Sequence, residues 1–208
     1  MAKFLSKPNS NSTSGERSYY YRIEEFFSEE NNELVYFEPE INGLRPDYLQ
    51  ISPKNGIIIS EIKDYLETSL QTISKSGKWE MIKNDEKVFV SNPFDQLYQY
   101  WRVVKDKINH SRFPESIRIP IMNIAVFSQI SSDSAISEKI RKVAPKTVYL
   151  CFKESLTRNH NFSTFIRDIL PLNFEIESNY FNILRGNIIP TCRLPTLEQA
   201  NLSKNFES

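Results

Sequence analysis

Two acids and a lysine, Asp47, Glu61 and Lys63, are the residues whose types and spacing in this sequence suit hydrolytic chemistry. The turn cluster 52–56 between them predicts a hairpin in which Asp47 lies opposite Glu61. Side chains alternate along a strand, so we expect both acids and the lysine on the face that carries Leu49 and its apolar neighbours. Two carboxylates that face each other at the edge of a core repel and lose hydration, and a divalent cation between them relieves both costs.

A metal held by Asp47 and Glu61 would give this site a defined chemistry. It would polarise a phosphodiester, lower the pKa of a bound water and neutralise charge in the transition state. Lys63 would position that water or stabilise the developing charge. With 2 Cys and 2 His in 208 residues, carboxylates are the available ligands, which favours Mg²⁺ or Mn²⁺. The alternative is a solvent-facing hairpin end at which Lys63 only pairs with an acid.

Three further polar residues lie where they could reach this hairpin. Glu16 heads the buried stripe of a predicted helix and is a candidate third acid, but it also fits a capping box with Thr13. Gln96 and Tyr100 lie one turn apart on a second predicted helix. Gln96 would donate to a phosphate or to a metal-bound water, and Tyr100 would hydrogen-bond or stack. In the alternative, Tyr100 is a core residue of an ordinary amphipathic helix.

The second predicted helix also carries basic residues. Arg102 and Lys105 are candidates for contacts with backbone phosphates, together with Tyr100, and a solvated basic face is the alternative. Both tryptophans, Trp79 and Trp101, are expected in the core rather than as stacking platforms for bases.

The composition is that of a globular protein without a global bias toward nucleic acid or lipid. Hydrophobic residues make up 39% and charged residues 25% of the chain, which suffices for one domain with a full core. The formal net charge is 0, so any nucleic-acid surface must be local. No apolar run is long enough to span a bilayer, and the N-terminus does not resemble a secretory signal. Two distant cysteines without a CxxC motif favour a reducing cytoplasm.

Hydrophobic periodicity predicts an α/β layout that brings the polar residues together. The first helix carries the apolar stripe from Tyr19 to Phe27, and three strands follow, of which the second and third form the hairpin. We expect strands at 34–41, 45–51, 57–63, 78–82, 87–90, 117–127 and 147–152, and further helices at 92–108, 137–143 and 162–170.

The two ends of the chain differ in composition from its middle. Residues 1–13 are rich in Ser, Asn and Lys and predict a flexible leader, and residues 14–185 form the predicted domain. From Arg185 onward the chain is expected to become irregular, with 186–208 as a linker or tail toward a further C-terminal domain. The sequence is therefore expected to be the front part of a longer protein.

Four segments in this order, 15–17, 45–51, 56–63 and 92–96, resemble the nuclease-related domain (NERD) of the PD-(D/E)XK nuclease superfamily. They read Gly-Glu-Arg, Arg-Pro-Asp-Tyr-Leu-Gln-Ile, Gly-Ile-Ile-Ile-Ser-Glu-Ile-Lys and Asn-Pro-Phe-Asp-Gln, and the resemblance extends over residues 14–110. It implies a restriction-endonuclease-like fold, a mixed central sheet flanked by helices with an αβββαβ core. It also implies divalent-metal dependence and hydrolytic cleavage of DNA.

The resemblance further implies roles for individual residues. Asp47 and Glu61 would bind the metal, with Glu16 assisting. Lys63 would be catalytic, and Gln96 would be an auxiliary residue of the active site.

Related domains often precede a helicase, and segment 194–199 resembles the entry to helicase domains. A helicase partner in DNA repair or antiphage defence is therefore expected, and a homodimer is a further expectation because many relatives pair two active sites. Tyr48 and Gln50 depart from the apolar residues usual in the family, so that face is expected to be partly exposed or covered by a partner. The alternative function is a catalytically silent nuclease fold that serves as a DNA-binding or regulatory interaction module.

Overall fold

The computed structural model describes residues 2–29, 32–111, 113–114 and 116–188. Its strands are β1 (Lys3–Phe4), β2 (Leu34–Phe37), β3 (Tyr48–Ser52), β4 (Gly56–Lys63), β5 (Leu70–Thr72), β6 (Trp79–Lys83), β7 (Glu86–Val90), β8 (Ile121–Phe127) and β9 (Val148–Phe152). Its helices are α1 (Ser14–Phe27), α2 (Pro93–Asn109), α3 (Ala135–Val143), α4 (Lys153–Thr157), α5 (Asn159–Ile169) and α6 (Ser178–Ile188).

Six strands form a mixed central sheet in the order β1-β2-β3-β4-β8-β9. Strands β2, β3 and β4 are antiparallel neighbours, whereas β8 and β9 run parallel to β4 and to each other. The pairing therefore changes from antiparallel to parallel at β4, the strand that carries Glu61 and Lys63. Strands β5, β6 and β7 form a separate small sheet between β4 and α2 in the chain. The predicted mixed α/β fold is confirmed.

Helices cover both faces of the central sheet, because its strands carry apolar side chains on both sides. On one face, Leu49 and Ile59 belong to the same buried cluster as Leu97 of α2, together with side chains of α6. On the other face, Ile58 is clustered with Tyr19 of α1 and with side chains of α5. Within the described ranges, no helix combines the length and the apolarity that crossing a bilayer requires.

The β3–β4 hairpin forms in the predicted register, with Ile51 paired to Ile57. Gly56 closes the turn with a φ of 78°, and a Cβ atom there would lie 2.4 Å from the carbonyl oxygen of Pro120. Both conditions require glycine. Because side chains alternate, this register places Glu61 on the same face as Ile57.

The strand expected at 45–51 begins only at Tyr48, and two other predicted strands are shortened for a local reason. The strand expected at 34–41 ends at Phe37, because Glu38 follows with a φ of 44°, which is outside the strand region. The strand expected at 117–127 begins only after Pro120, which has no N–H group to donate to a neighbouring strand.

The C-terminal helix α6 was not predicted, and the expectation that the chain becomes irregular at Arg185 is wrong. The helix continues to Ile188 because Phe181, Leu184 and Ile188 recur at helical spacing and are buried. Residues 189–208, which include the helicase-like segment, lie outside the described residues.

Two segments that were expected at the surface are built into the sheet. Lys3–Phe4, within the expected leader, pairs as β1 with the start of β2. Gln50 is 2% exposed, and its Nε2 atom donates to the buried carboxylate of Glu33 at 2.8 Å, while the Ser52 hydroxyl donates to the other oxygen of Glu33. The expectation that Gln50 is partly exposed is therefore wrong, because the buried carboxylate gives its amide a partner.

Candidate active site

The β3–β4 hairpin brings Asp47, Glu61 and Lys63 to one end of the central sheet. Asp47 directly precedes β3, and its Oδ2 atom accepts a hydrogen bond from the Ile62 N–H at 2.5 Å. Glu61, on the adjacent strand, is only 3% exposed. The two acids are therefore neighbours across the hairpin, at the edge of the core.

Burial raises the pKa of both acids, and repulsion by Glu61 adds to this at Asp47. Burial raises the pKa of Asp47 well above its ordinary value, and the nearby Glu61 carboxylate raises it further. Burial likewise raises the pKa of Glu61, although Lys63 and the Tyr100 hydroxyl act in the opposite direction. Two neighbouring acids with raised pKa values are the electrostatic pattern of a functional site, because a bound cation would relieve the cost of ionising them.

Lys63 is already paired inside the site. Its Nζ atom lies 2.6 Å from Oε1 of Glu61, and its side chain is 15% exposed. Burial lowers the pKa of Lys63, but Glu61, Tyr65 and Asp47 together outweigh burial and the net pKa is raised, so the ammonium stays charged. Lys63 therefore does pair with an acid, as the alternative of a solvent-facing hairpin end supposes. The pair is, however, largely buried.

Helix α2 brings Gln96 and Tyr100 to the same carboxylates. The Tyr100 hydroxyl donates to the carbonyl oxygen of Arg45 at 3.0 Å and also interacts with Glu61. Gln96 Nε2 lies 3.4 Å from that hydroxyl. Among the described residues, Oε2 of Glu61 and Oε1 of Gln96 are both buried without a hydrogen-bond partner. The site therefore presents two unused oxygen acceptors.

Glu16 forms the capping box of α1 that the sequence predicts. Its Oε2 atom accepts from the Thr13 N–H at 2.7 Å, and the Thr13 hydroxyl oxygen accepts from the Glu16 N–H at 3.2 Å. The Glu16 carboxylate still contributes to the raised pKa values of Asp47 and Glu61, so it lies within electrostatic reach of both. The hydroxyl of Tyr48 on β3 donates to the Glu16 carbonyl at 2.9 Å and ties this turn of α1 to the hairpin.

Asp64 is a residue of the site region that the sequence analysis missed. Its carboxylate accepts from the Gly15 N–H at 2.8 Å and from the hydroxyls of Ser14 and Ser128. It thus fixes the start of α1 against the end of β4, one residue after Lys63. An acid directly after the strand that carries Glu61 and Lys63 was the available signal, but only the tertiary structure shows that α1 is its partner.

Gly15→Ala is expected to destabilise the protein by about 1–3 kcal/mol through overpacking. A Cβ atom at Gly15 would lie 1.9 Å from Oδ1 of Asp64 and 2.5 Å from Oγ of Ser128. The measurement is urea unfolding. The matched control is Gly186→Ala in α6, where a Cβ atom would meet nothing within 4 Å and where alanine is expected to stabilise by up to ~1 kcal/mol. Equal effects at the two glycines would contradict the packing argument.

The donors present fit a hard divalent cation. The carboxylates of Asp47 and Glu61 and the amide oxygen of Gln96 are the oxygen ligands that Mg²⁺ and Mn²⁺ prefer, and two of these oxygens have no other partner. In the part of the chain that the structure describes, no group of three or more His, Cys, Asp or Glu side chains is placed to hold a metal. Two carboxylates are compatible with Mg²⁺, which commonly retains several waters.

The expected DNA-contacting residues separate onto two sides of α2. Tyr100 is 7% exposed and faces the carboxylates, whereas Arg102 and Lys105 are exposed on the outer side of the helix. Trp79 is fully buried, as predicted. Trp101 was expected in the core, but it is only half-buried because it stacks outside the core on Tyr98 of the same helix.

The six-stranded mixed sheet flanked by helices has the architecture of a nuclease-like fold. Residues 12–128 match the family model of the nuclease-related domain, NERD, which is more than half of the 208 residues. The chain therefore belongs to the NERD family. The matched range runs from the start of α1 through β8 and includes every candidate site residue. No curated protein and no solved structure matches the chain.

Proposed function

We propose that this protein is a metal-dependent DNA nuclease that hydrolyses phosphodiesters at the Asp47–Glu61–Lys63 site. The observation that supports this most is the pair of neighbouring acids with raised pKa values, Glu61 buried and Asp47 half-buried, of which Glu61 keeps one oxygen without a hydrogen-bond partner. A protein gains nothing in stability from such a pair, whereas a divalent cation between the acids would stabilise both ionised forms.

In the proposed mechanism, Asp47 and Glu61 would hold Mg²⁺ or Mn²⁺, with Gln96 Oε1 as a further ligand directly or through water. The metal would supply Lewis acidity toward the phosphate and a lowered pKa for a bound water. Lys63 keeps a positive charge within the buried site, where it orients the attacking water or stabilises charge that develops on the phosphate oxygens. Tyr100 holds Gln96 and Glu61 in place from α2.

Purified protein is expected to cleave linear and circular DNA with Mg²⁺ or Mn²⁺ and not with EDTA. Lys63→Ala is expected to lower the rate by about 10²–10³-fold, the cost of removing one charge-stabilising donor from an active site. The matched control is Lys87→Ala, which removes an exposed lysine paired to Glu80 at 2.8 Å and is expected to leave the rate unchanged. Cleavage of circular DNA would identify an endonuclease. Metal-dependent cleavage that survives Lys63→Ala would contradict the proposal.

A second candidate is a catalytically silent module that binds DNA or regulates a larger enzyme. The observation that favours it is the Lys63–Glu61 ion pair, which satisfies the lysine without substrate or metal. This alternative predicts DNA binding that is the same with Mg²⁺ and with EDTA, and no cleavage in any metal. Binding that requires the metal would exclude it.

We place the nuclease in DNA repair or antiphage defence, with a helicase as partner and with a homodimer as the functional assembly. The support is the family membership and the resemblance of segment 194–199 to the entry of helicase domains. Light scattering of the purified chain checks the dimer, and cleavage assays with and without a helicase check the partnership.

A further inference from the structure

An aromatic and basic ladder runs along the outer side of α2, defined by Tyr98, Trp101 and Lys105. The rings of Tyr98 and Trp101 are stacked, with centroids 6.0 Å apart and planes 19° apart. The ammonium of Lys105 lies 4.4 Å from the centroid of the Trp101 ring. The spacings of three and four residues put the three side chains on one side of the helix.

The ladder does not serve the core. The core side of α2 is formed by Phe94, Leu97 and Val104, which are at most 2% exposed. Tyr98, in contrast, is 59% exposed, and Lys105 is exposed as well. An exposed aromatic pair contributes little to folding, and aromatic rings beside cations are the side chains that bind single-stranded nucleic acid.

We propose that this ladder binds single-stranded DNA on the outer side of α2. A base stacks on the exposed ring of Tyr98, and phosphates contact Lys105 and the neighbouring Arg102. Trp101 supports the tyrosine from behind. Duplex DNA fits less well, because its bases are already stacked and paired and offer no free face.

The exposed cations Arg102 and Lys105 favour DNA over a protein partner. The three ladder residues include no acid. Of the nearby acids on α2, Asp95 accepts from the Gly77 N–H at 3.1 Å, and Asp106 is exposed beside Lys105. Gln96 and Tyr100 project from the opposite side of α2 toward Glu61, so the ladder would bind a part of the strand away from the cleaved bond. The inference rests on the proposed function, since the bound strand is the one that the site would cleave.

Titration of the full chain with oligo(dT) in EDTA tests the inference through tryptophan fluorescence. The chain has 2 tryptophans, and only Trp101 is accessible because Trp79 is fully buried. Oligo(dT) is expected to quench Trp101, and Tyr98→Ala is expected to weaken binding by about tenfold, whereas Tyr98→Phe retains it. The matched control is Tyr21→Ala on α1, where the tyrosine is 63% exposed.

Salt dependence tests the basic part of the ladder. Lys105→Gln is expected to reduce the slope of log K against log salt by about 0.7, the value for one phosphate contact to a single strand. Lys139→Gln on α3, which also removes an exposed lysine, is expected to leave the slope unchanged.

Three outcomes would overturn the inference: unchanged binding by Tyr98→Ala, tighter binding of duplex than of oligo(dT), or self-association that Tyr98→Ala abolishes. The last would assign the ladder to a second copy of this chain. The titration needs neither metal nor cleavage. A failure to bind oligo(dT) through the ladder would therefore contradict this inference without contradicting the nuclease proposal. A chain that binds oligo(dT) through Tyr98 but cleaves nothing would retain the inference and refute the nuclease.

Discussion

Replacing Asp47 by asparagine is expected to abolish metal-dependent cleavage and at the same time to stabilise the metal-free protein near neutral pH. Asparagine keeps the size of the side chain and an oxygen that can accept from the Ile62 N–H. It removes a buried negative charge that lies beside Glu61. The loss of a metal ligand is expected to lower the cleavage rate by at least about 10²–10³-fold. The change therefore separates what the acid does for function from what it does for folding.

The pH dependence of stability follows from the raised pKa of Asp47. In the unfolded chain this carboxyl ionises near its ordinary value of 3.8, whereas in the folded protein it holds its proton to higher pH. Its contribution to stability is therefore fully present below the unfolded pKa and is lost as the pH rises through the folded pKa. Glu61 acts in the same direction. The free energy of unfolding of the metal-free protein is thus expected to fall as the pH rises above about 4, the ordinary carboxyl range, and through the raised folded-state pKa values.

Urea unfolding at several pH values, with and without Mg²⁺, measures how the free energy of unfolding depends on pH and on the metal. Asp47→Asn is expected to flatten the fall with pH, and Mg²⁺ is expected to stabilise the wild type but not the variant, because a ligand that binds the folded state stabilises it. The control is Asp133→Asn, which removes an exposed carboxyl of the same size. If Asp47→Asn were less stable than the wild type at pH 8 without metal, the electrostatic account of the site would be wrong.

Trp79→Ala is expected to cost about 3–5 kcal/mol of stability, the largest effect of any single substitution considered for the fold. Trp79 is fully buried and stacks on Phe127 of β8, with centroids 6.0 Å apart and planes at 8°. It meets Phe94 of α2 edge-on at 5.7 Å, and its Nε1 atom donates to the Ser74 carbonyl at 2.9 Å. It is the side chain by which β6 of the small sheet enters the core, so its loss leaves a large cavity.

Chemical denaturation followed by circular dichroism tests this prediction. Trp79→Phe fills part of the cavity and is expected to cost less than Trp79→Ala. Phe89→Ala, on the adjacent strand β7, removes a side chain that is 66% exposed and is expected to change stability by no more than about 0.5 kcal/mol. A small effect of Trp79→Ala would mean that the small sheet contributes little to the free energy of unfolding of the domain.

The hairpin and its face could be predicted because local chemistry determines them. The turn at 52–56 needs glycine at Gly56, and strict alternation then puts Glu61 on the same face as the apolar side chains, whatever the rest of the chain does. The capping box at Glu16 is local for the same reason. These features account for the confirmed fold and for the hairpin register around the candidate acids.

The missed features depend on contacts between residues distant in sequence. Periodicity places Trp101 on α2 but does not show that this flank of the helix faces solvent. Nothing near Asp64 indicates that it receives the start of α1, about 50 residues earlier in the chain. Gln50 was expected at the surface because its partner, the buried Glu33, is supplied by another segment. In each case the side-chain type was informative, but its neighbour was set by the topology.

The small sheet of β5, β6 and β7 has a consequence for how this domain can diversify. It occupies the chain between Lys63 at the end of β4 and Asn92 at the start of α2, so it separates the two halves of the candidate site in sequence. Its outer turn, Asn84–Asp85, has positive φ at both residues and lies at the tip of the β6–β7 hairpin. Evolution can lengthen, shorten or replace this hairpin tip without moving a candidate catalytic atom.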